Sequence, residues 1–315
     1  MRGLEVIRPG LRTTVEDLGR RGVAPWGVPP GGAFDRAALE AANLLVGNPP
    51  EAAGLELTLR GPELVAGEDL EVAYVGVDFD ARLASGAEER PLPFGRAVEV
   101  RRGTSLRFGY ARGGARAWLA VGGGVEVPAI FGSRSTDVPS RFGGLGGRPL
   151  RPGDDLPVGP QLWRGSRAAY RDPVSVPANG PALLRVLPGP QLPLMPEDWM
   201  GAFERALFRV GVDSDRTGVR LTLVSGELPK GGPAEIEPEG TTLGSVQLAG
   251  ETPIALGPDR PTTGGYPKPA AVISADAGLL ARLAPGMAVS FRAVTREEAL
   301  RAAAELAAAR EGLRQ

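Results

Sequence analysis

Neither cysteine nor histidine occurs in the 315 residues. Their absence excludes disulfides, thiolate nucleophiles, Cys/His zinc sites, Ser-His-Asp triads and any imidazole proton shuttle. Chemistry on this chain must use carboxylates, hydroxyls, Lys/Arg or backbone groups. Lysine is scarce as well: only Lys230 and Lys268 stand among 36 basic residues. A genome bias toward arginine codons explains this more simply than an adaptation to oxyanions. An excess of either charge is missing too, with 36 basic against 37 acidic residues. Neither nucleic acid nor an anionic membrane is therefore an electrostatically favoured partner. No stretch approaches the ~18 apolar residues of a membrane span. Arg2, Glu5 and Arg8 interrupt the place where a signal peptide carries its apolar run. These absences together predict a cytoplasmic protein.

Glycine (46) and proline (31) are abundant and spread throughout, together about double their usual ~12% share. So many turns favour short strands over long helices. With 42% apolar and 23% charged residues, the composition is that of a globular protein, and the length suits two domains of roughly 150 residues. Strand-like runs are expected at Leu4–Ile7, Leu55–Leu59, Leu70–Val77, Ala97–Val100, Ser105–Tyr110 and Ala115–Val121. They recur at Leu183–Leu187, Leu221–Val224, Pro253–Leu256, Ala271–Ser274 and Met287–Val294. Strands at the spacing of Leu55–Val121, with no intervening helices, predict an antiparallel barrel or sandwich. Loop is expected over Leu11–Gly32.

Three helices are predicted. Phe34–Val46 has Asp35 near its start and Gly47 placed to end it. Glu197–Phe208 lines up Trp199, Phe203 and Leu207. Thr295–Leu313 opens with a capping box from Thr295 and Glu298. The proline-rich, aperiodic stretch Arg151–Pro181 marks the boundary between domains at 1–170 and 171–315. The fragments Leu57–Leu64 and Leu221–Leu228 look alike, which hints at two related β domains.

No Walker loop exists, because both lysines follow proline rather than glycine. Gly143–Gly147 lacks the full dinucleotide spacing, and no serine sits in a nucleophile elbow. Neither lysine lies in the Ala-Met-Lys-Met context of a biotin carrier, so no covalent biotin is expected. The densest polar segment is Asp259–Lys268, containing Thr262, Thr263, Gly264, Gly265, Tyr266 and Lys268. Its hydroxyls, backbone N–H groups and ammonium suit an oxyanion or carboxylate. Equally, it reads as a tight loop whose threonines satisfy local backbone. Asp215 and Arg216 either meet a ligand or form a surface pair of little energetic weight. Gly132–Thr136, with Ser133 and Arg134, is an anion loop or an ordinary turn. The long N-terminal loop carrying Asp17 and Arg20 lines a cleft or an interface.

Seven blocks, in order, resemble one family. They are Arg8-Pro9-Gly10-Leu11, Thr13-Thr14-Val15, Asp17-Leu18-Gly19-Arg20, Ala41–Asn48, Gly132–Thr136, Thr262–Lys268 and Val272–Asp276. The family is that of the biotin-dependent carboxyltransferase-like proteins, which includes KipA, the PxpC-type subunit of 5-oxoprolinase and half of the urea carboxylase carboxyltransferase domain. The resemblance implies a mainly β fold of two tandem cyclophilin-like β-barrel domains. It also implies a KipI-like subunit and a LamB/YcsF-like subunit as partners. The implied activity is ATP-dependent opening of 5-oxo-L-proline to L-glutamate, with ATP and Mg bound together with those partners. On this reading Lys268 and Arg216 stabilise anionic charge, while Tyr266, Thr262 and Thr263 orient the ligand. Asp215 positions a cation or water, and Gly264, Gly265, Arg20, Ser133 and Arg134 contribute to binding. Alternative activities in the family are carboxyl transfer from carboxybiotin to a urea-like acceptor and non-enzymatic regulation in the manner of KipA. The chain departs from the family pattern at Glu16, Gly31 and Pro261, and Pro261 removes a backbone donor from the candidate site.

Overall fold

The computed structural model describes residues 3–161, 165–166 and 168–313. Part of the expected Arg151–Pro181 linker, namely 162–164 and 167, lies outside the described residues. Two compact units emerge: unit 1 comprises Met1–Arg21, Gly31–Pro173 and Ala307–Gln315, and unit 2 comprises Gly22–Pro30 and Val174–Leu306.

Unit 1 contains strands β1 (Leu4–Arg8), β2 (Arg12–Glu16), β3 (Gly54–Thr58), β4 (Glu63–Ala66), β5 (Leu70–Asp78), β6 (Arg82–Ser85), β7 (Glu88–Pro91), β8 (Val98–Val100), β9 (Ser105–Arg107), β10 (Arg112–Val121) and β11 (Asp155–Leu156). They form two sheets, ordered β11-β1-β4-β9-β6-β7 and β2-β3-β10-β5-β8. Register explains the core. Val6, Leu64, Leu106 and Leu83 face one another across the first sheet. Val15, Leu55, Leu119 and Tyr74 do the same across the second. All eight are buried, and each such side chain contributes roughly 1.5–3 kcal/mol of apolar burial.

Helix α1 (Arg36–Leu45) begins as expected: Asp35 Oδ1 accepts the Ala38 amide at 3.0 Å. Gly47 adopts the left-handed φ that ends it. Just before α1, the Phe34 amide and the Trp118 indole N–H both donate to Glu56 Oε2, at 2.9 and 3.0 Å. A buried carboxylate thereby ties the entry of the helix to the sheet.

Strand β2 corrects the expectation of continuous loop over Leu11–Gly32. Its buried residues include Thr13, Thr14 and Glu16, so burial here does not follow hydrophobicity and the period-2 apolar pattern is absent.

Unit 2 holds β12 (Ala182–Pro188), β13 (Leu207–Val210), β14 (Gly218–Ser225), β15 (Glu239–Gly240), β16 (Ser245–Ala249), β17 (Thr252–Leu256), β18 (Thr263–Gly264), β19 (Ala270–Val272) and β20 (Ala288–Ala293). Seven of them close a barrel in the order β12-β19-β16-β17-β14-β13-β20. The closure joins β12 and β20 in parallel, from Ala182 opposite Val289 to Val186 opposite Ala293. β15 and β18 form a separate two-stranded ribbon.

Helix α2 (Trp199–Arg205) is shorter than expected, because the chain becomes extended at Leu207. There Phe208 and Val210 alternate into the core with a period of two. Trp199 stacks on Phe203, and Phe203 stacks on Phe291 of β20, with ring centroids 4.9 and 4.3 Å apart. Helix α3 (Ala277–Arg282) had no clear sequence signal. In α4 (Arg296–Glu311) the capping box forms: Thr295 Oγ1 accepts from Glu298 N and Glu298 Oε2 from Thr295 N. Ala299, Ala302 and Leu306 of α4 pack with Leu187, Ile273 and Val294. Among the described residues no helix is long and apolar enough to cross a membrane.

Candidate functional site

Two polar clusters contain most of the expected site residues, one in each unit. In unit 2 the segment leading to Lys268 is laced to the strip 236–241. Glu239 pairs with Gly264 and Gly240 with Thr263 in the β15–β18 ribbon. Beyond it, Thr241 N donates to Thr262 O at 3.1 Å and Ile236 N to Gly265 O at 2.7 Å, while the Thr241 hydroxyl bonds the Pro261 carbonyl. The extended tongue so formed carries Thr262, Thr263 and Tyr266 at least partly exposed, with Tyr266 at 39%.

Lys268 ends this segment and is buried. Its ammonium donates to the Tyr266 carbonyl at 3.2 Å and pairs with Glu239 Oε1 at 3.1 Å. Gln191 braces both partners, accepting the Lys268 amide at 3.0 Å and donating to Glu239 Oε1 at 2.9 Å. The Lys268 ammonium, and then the Gln191 amide, hold the Glu239 carboxyl below the ordinary carboxylate range. An ammonium has three N–H bonds, and these two acceptors engage two of them.

Arg216 and Asp215 have partners of their own within the chain. Arg216 is buried and forms a two-pronged pair with Asp259, at 2.8 and 2.9 Å. Its charge is therefore neutralised inside the protein, where it anchors the root of the Asp259–Lys268 segment. Asp215 is exposed, and its Oδ1 accepts the Thr217 and Gly218 amides. It terminates a turn and does not pair with Arg216.

In unit 1 the Gly132–Thr136 loop does bind an anion, and the anion is the chain's own Asp17. The hydroxyls of Ser133 and Ser135 both donate to Asp17 Oδ1 at 2.6 Å. The Gly19 amide reaches the same oxygen at 2.8 Å, and the Arg134 amide reaches Oδ2 at 2.6 Å. Ser133 and the backbone of Arg134 are thus already engaged. The Arg134 side chain turns toward Glu126, at 3.6 Å. Arg20 is buried, donates to the Ser135 carbonyl and lies 4.6 Å over the Phe142 ring. Gly143 (φ 68) is required here: a Cβ would run into Ser135 O and the Arg20 guanidinium. The glycine-dense stretch that failed as a phosphate loop therefore makes room for Arg20.

The structure thus brings Lys268, Tyr266, Thr262, Thr263, Gly264 and Gly265 together on one tongue. It also brings Arg20, Ser133 and Arg134 together around Asp17. Sequence reasoning missed Gln191 and Glu239, which lie 77 and 29 residues before Lys268 with no motif linking them.

Comparison with known proteins places the chain in a family. Residues 26–293 match the model of the carboxyltransferase domain, subdomain A and B. The chain is 36% identical to the C-type subunit of 5-oxoprolinase from Escherichia coli K12, over 95% of this chain and 94% of that protein. It is 32% identical to the corresponding 5-oxoprolinase subunit of Haemophilus influenzae, over 94% of this chain and 93% of that one. The crystal structure of Kluyveromyces lactis urea carboxylase superposes with a TM-score of 0.90 at 28% identity, covering 98% of this chain but 29% of that much longer one. With a match across most of its length, a shared mainly β fold and relatives above 30% identity, the chain belongs to the carboxyltransferase domain A and B family.

Proposed function

We infer that the chain is the C-type subunit of an ATP-dependent 5-oxoprolinase, which opens 5-oxo-L-proline to L-glutamate together with a KipI-like subunit and a LamB/YcsF-like subunit. The observation that carries this reading is the end-to-end likeness to a 5-oxoprolinase subunit, over 95% of this chain and 94% of the relative. Activity belongs to the assembled complex rather than to the isolated chain.

ATP and its Mg are read as bound together with the partner subunits. Among the described residues no three carboxylates gather to hold a metal ion. Gly264 is occupied in ribbon pairing with Glu239, and the Gly265 carbonyl accepts the Ile236 amide. This chain's part is to hold the lactam. The remaining N–H of Lys268 meets the substrate carboxylate or the oxyanion that develops at the lactam carbonyl. Such a charge-assisted bond strengthens as negative charge accumulates. Tyr266, Thr262 and Thr263 orient the ring from the exposed face of the tongue. Glu239 and Gln191 keep the ammonium in place.

The test is ATP-dependent glutamate release by the reconstituted complex. Lys268→Met should lower kcat at least 100-fold while the far-UV circular dichroism and melting temperature of the chain stay close to the original. Unchanged turnover would remove Lys268 from the reaction. The likeness to urea carboxylase, at a TM-score of 0.90, favours a second reading as the carboxyltransferase part of a biotin-dependent enzyme. Inhibition of turnover by avidin would select that reading, and indifference to avidin the oxoprolinase one.

A further inference from the structure

The block Arg8-Pro9-Gly10-Leu11 has no part in either polar cluster. The chain turns there, and Gly10 (φ 75) is pressed against the backbone of Arg60 and Gly61, where a Cβ would collide. The Leu11 amide donates to Arg60 O at 2.9 Å, and Ala111 N donates to Leu59 O at 2.8 Å. Arg60 and Tyr110 also face each other in an isolated antiparallel bridge. Between these ties Leu59 has φ 59, a left-handed conformation that persists in a branched residue only where the surroundings over-determine it. Three segments are thus fixed to one another within unit 1.

What they present outward is unusual. Leu11 is 65% exposed and Tyr110 69% exposed. Between them the exposed Arg60 carries its guanidinium 5.5 Å from the Tyr110 ring centroid. Three nearby arginines have carboxylate partners: Arg8 and Arg107 share Glu63, at 2.6 and 2.9 Å, and Arg112 reaches Asp80 at 2.8 Å. Among the described residues no carboxylate forms an ion pair with Arg60. A solvated tyrosine beside an uncompensated guanidinium matches the residue types that dominate interface centres, and the exposed Leu11 adds apolar area to them. Their rigid backbone lowers the ordering cost of binding.

We propose that Leu11, Arg60 and Tyr110 form a docking surface for another polypeptide of the complex, one that presents an acidic side chain bordered by apolar residues. The inference rests on the oxoprolinase reading, which requires a partner chain. The missing carboxylate at Arg60 sets the charge of that partner, and Leu11 and Tyr110 set its apolar border.

The experiment titrates the chain calorimetrically against each purified partner subunit of the complex, alongside Arg60→Glu, Tyr110→Ala and Leu11→Ser. Circular dichroism verifies that each variant is folded. One partner should bind the unaltered chain, and Arg60→Glu and Tyr110→Ala should each weaken Kd at least 10-fold. Added salt should weaken the unaltered chain more than Arg60→Glu. If folded variants bind as tightly as the original, the docking surface is overturned while the functional reading stands. If Arg60→Glu instead abolishes self-association in sedimentation and leaves partner binding intact, the surface belongs to a second copy and the proposal is again wrong. If the unaltered chain binds neither partner and the mixture releases no glutamate, the oxoprolinase reading falls and takes the docking surface with it.

Discussion

The loop around Asp17 and the tongue around Lys268 are both dense in hydroxyls, glycines and charge, yet they are satisfied in opposite ways. Asp17 accepts four donors, from Ser133, Ser135, Gly19 and Arg134, and the cluster is closed on itself. Lys268 gives two of its donors to Glu239 and the Tyr266 carbonyl and keeps a third. A residue set chosen for anion binding therefore says little until its internal partners are counted. The first cluster shapes the backbone, whereas the second is the one we propose to meet a ligand.

This contrast can be broken or sharpened by substitution. The largest effect is expected at the root of the tongue. Arg216→Met leaves Asp259 buried without its cation, and removing one member of a buried pair costs about 3–5 kcal/mol. Urea unfolding should show that loss, and the double variant Arg216→Met with Asp259→Leu should recover much of it. If Arg216→Met were as stable as the original, the anchoring role would be wrong.

Next comes Asp17→Ala, which strands four donors at once. Charge-assisted hydrogen bonds are worth roughly 1.5–3 kcal/mol each, offset here by hydroxyl rotation toward other acceptors. A net loss of about 2–3 kcal/mol is expected, with faster amide hydrogen exchange at Gly19 and Arg134. If the reaction uses the proposed site on the tongue, turnover should survive in whatever fraction stays folded, and a selective loss of kcat would instead make the Asp17 loop part of the reaction.

The smallest effect is pH dependence. The folded Glu239 carboxyl holds its proton more weakly than the unfolded one. Its contribution is thus fully present above the ordinary pKa of about 4.3 and disappears as pH falls through the lower folded value. Hydrogen exchange of the 262–268 amides should accelerate in that acid window, and Glu239→Gln should flatten the response.

Local features were the legible part of this sequence. Asp35 and Gly47 delimit α1, and Thr295 with Glu298 starts α4, because caps act over three or four residues. Most strands could be read from apolar runs. The strand β2 could not, since Thr13, Thr14 and Glu16 are buried without being apolar. Site partners were harder still. Asp17 meets Ser135 across 118 residues, and Lys268 meets Gln191 across 77. No spacing rule spans such distances, so the tongue was visible in sequence while its braces were not.

The seam between β12 and β20 also constrains how unit 2 is made. These strands are the first and last of the barrel, separated by more than ninety residues of chain, and they pair in parallel. Until Ala288–Ala293 leaves the ribosome, β12 and β13 each lack the neighbour that β20 provides on both sides of the gap. Two open strand edges then wait on the nascent polypeptide, where stray pairing with another chain is easiest. Premature termination just before residue 288 should for that reason yield aggregates rather than a smaller soluble barrel.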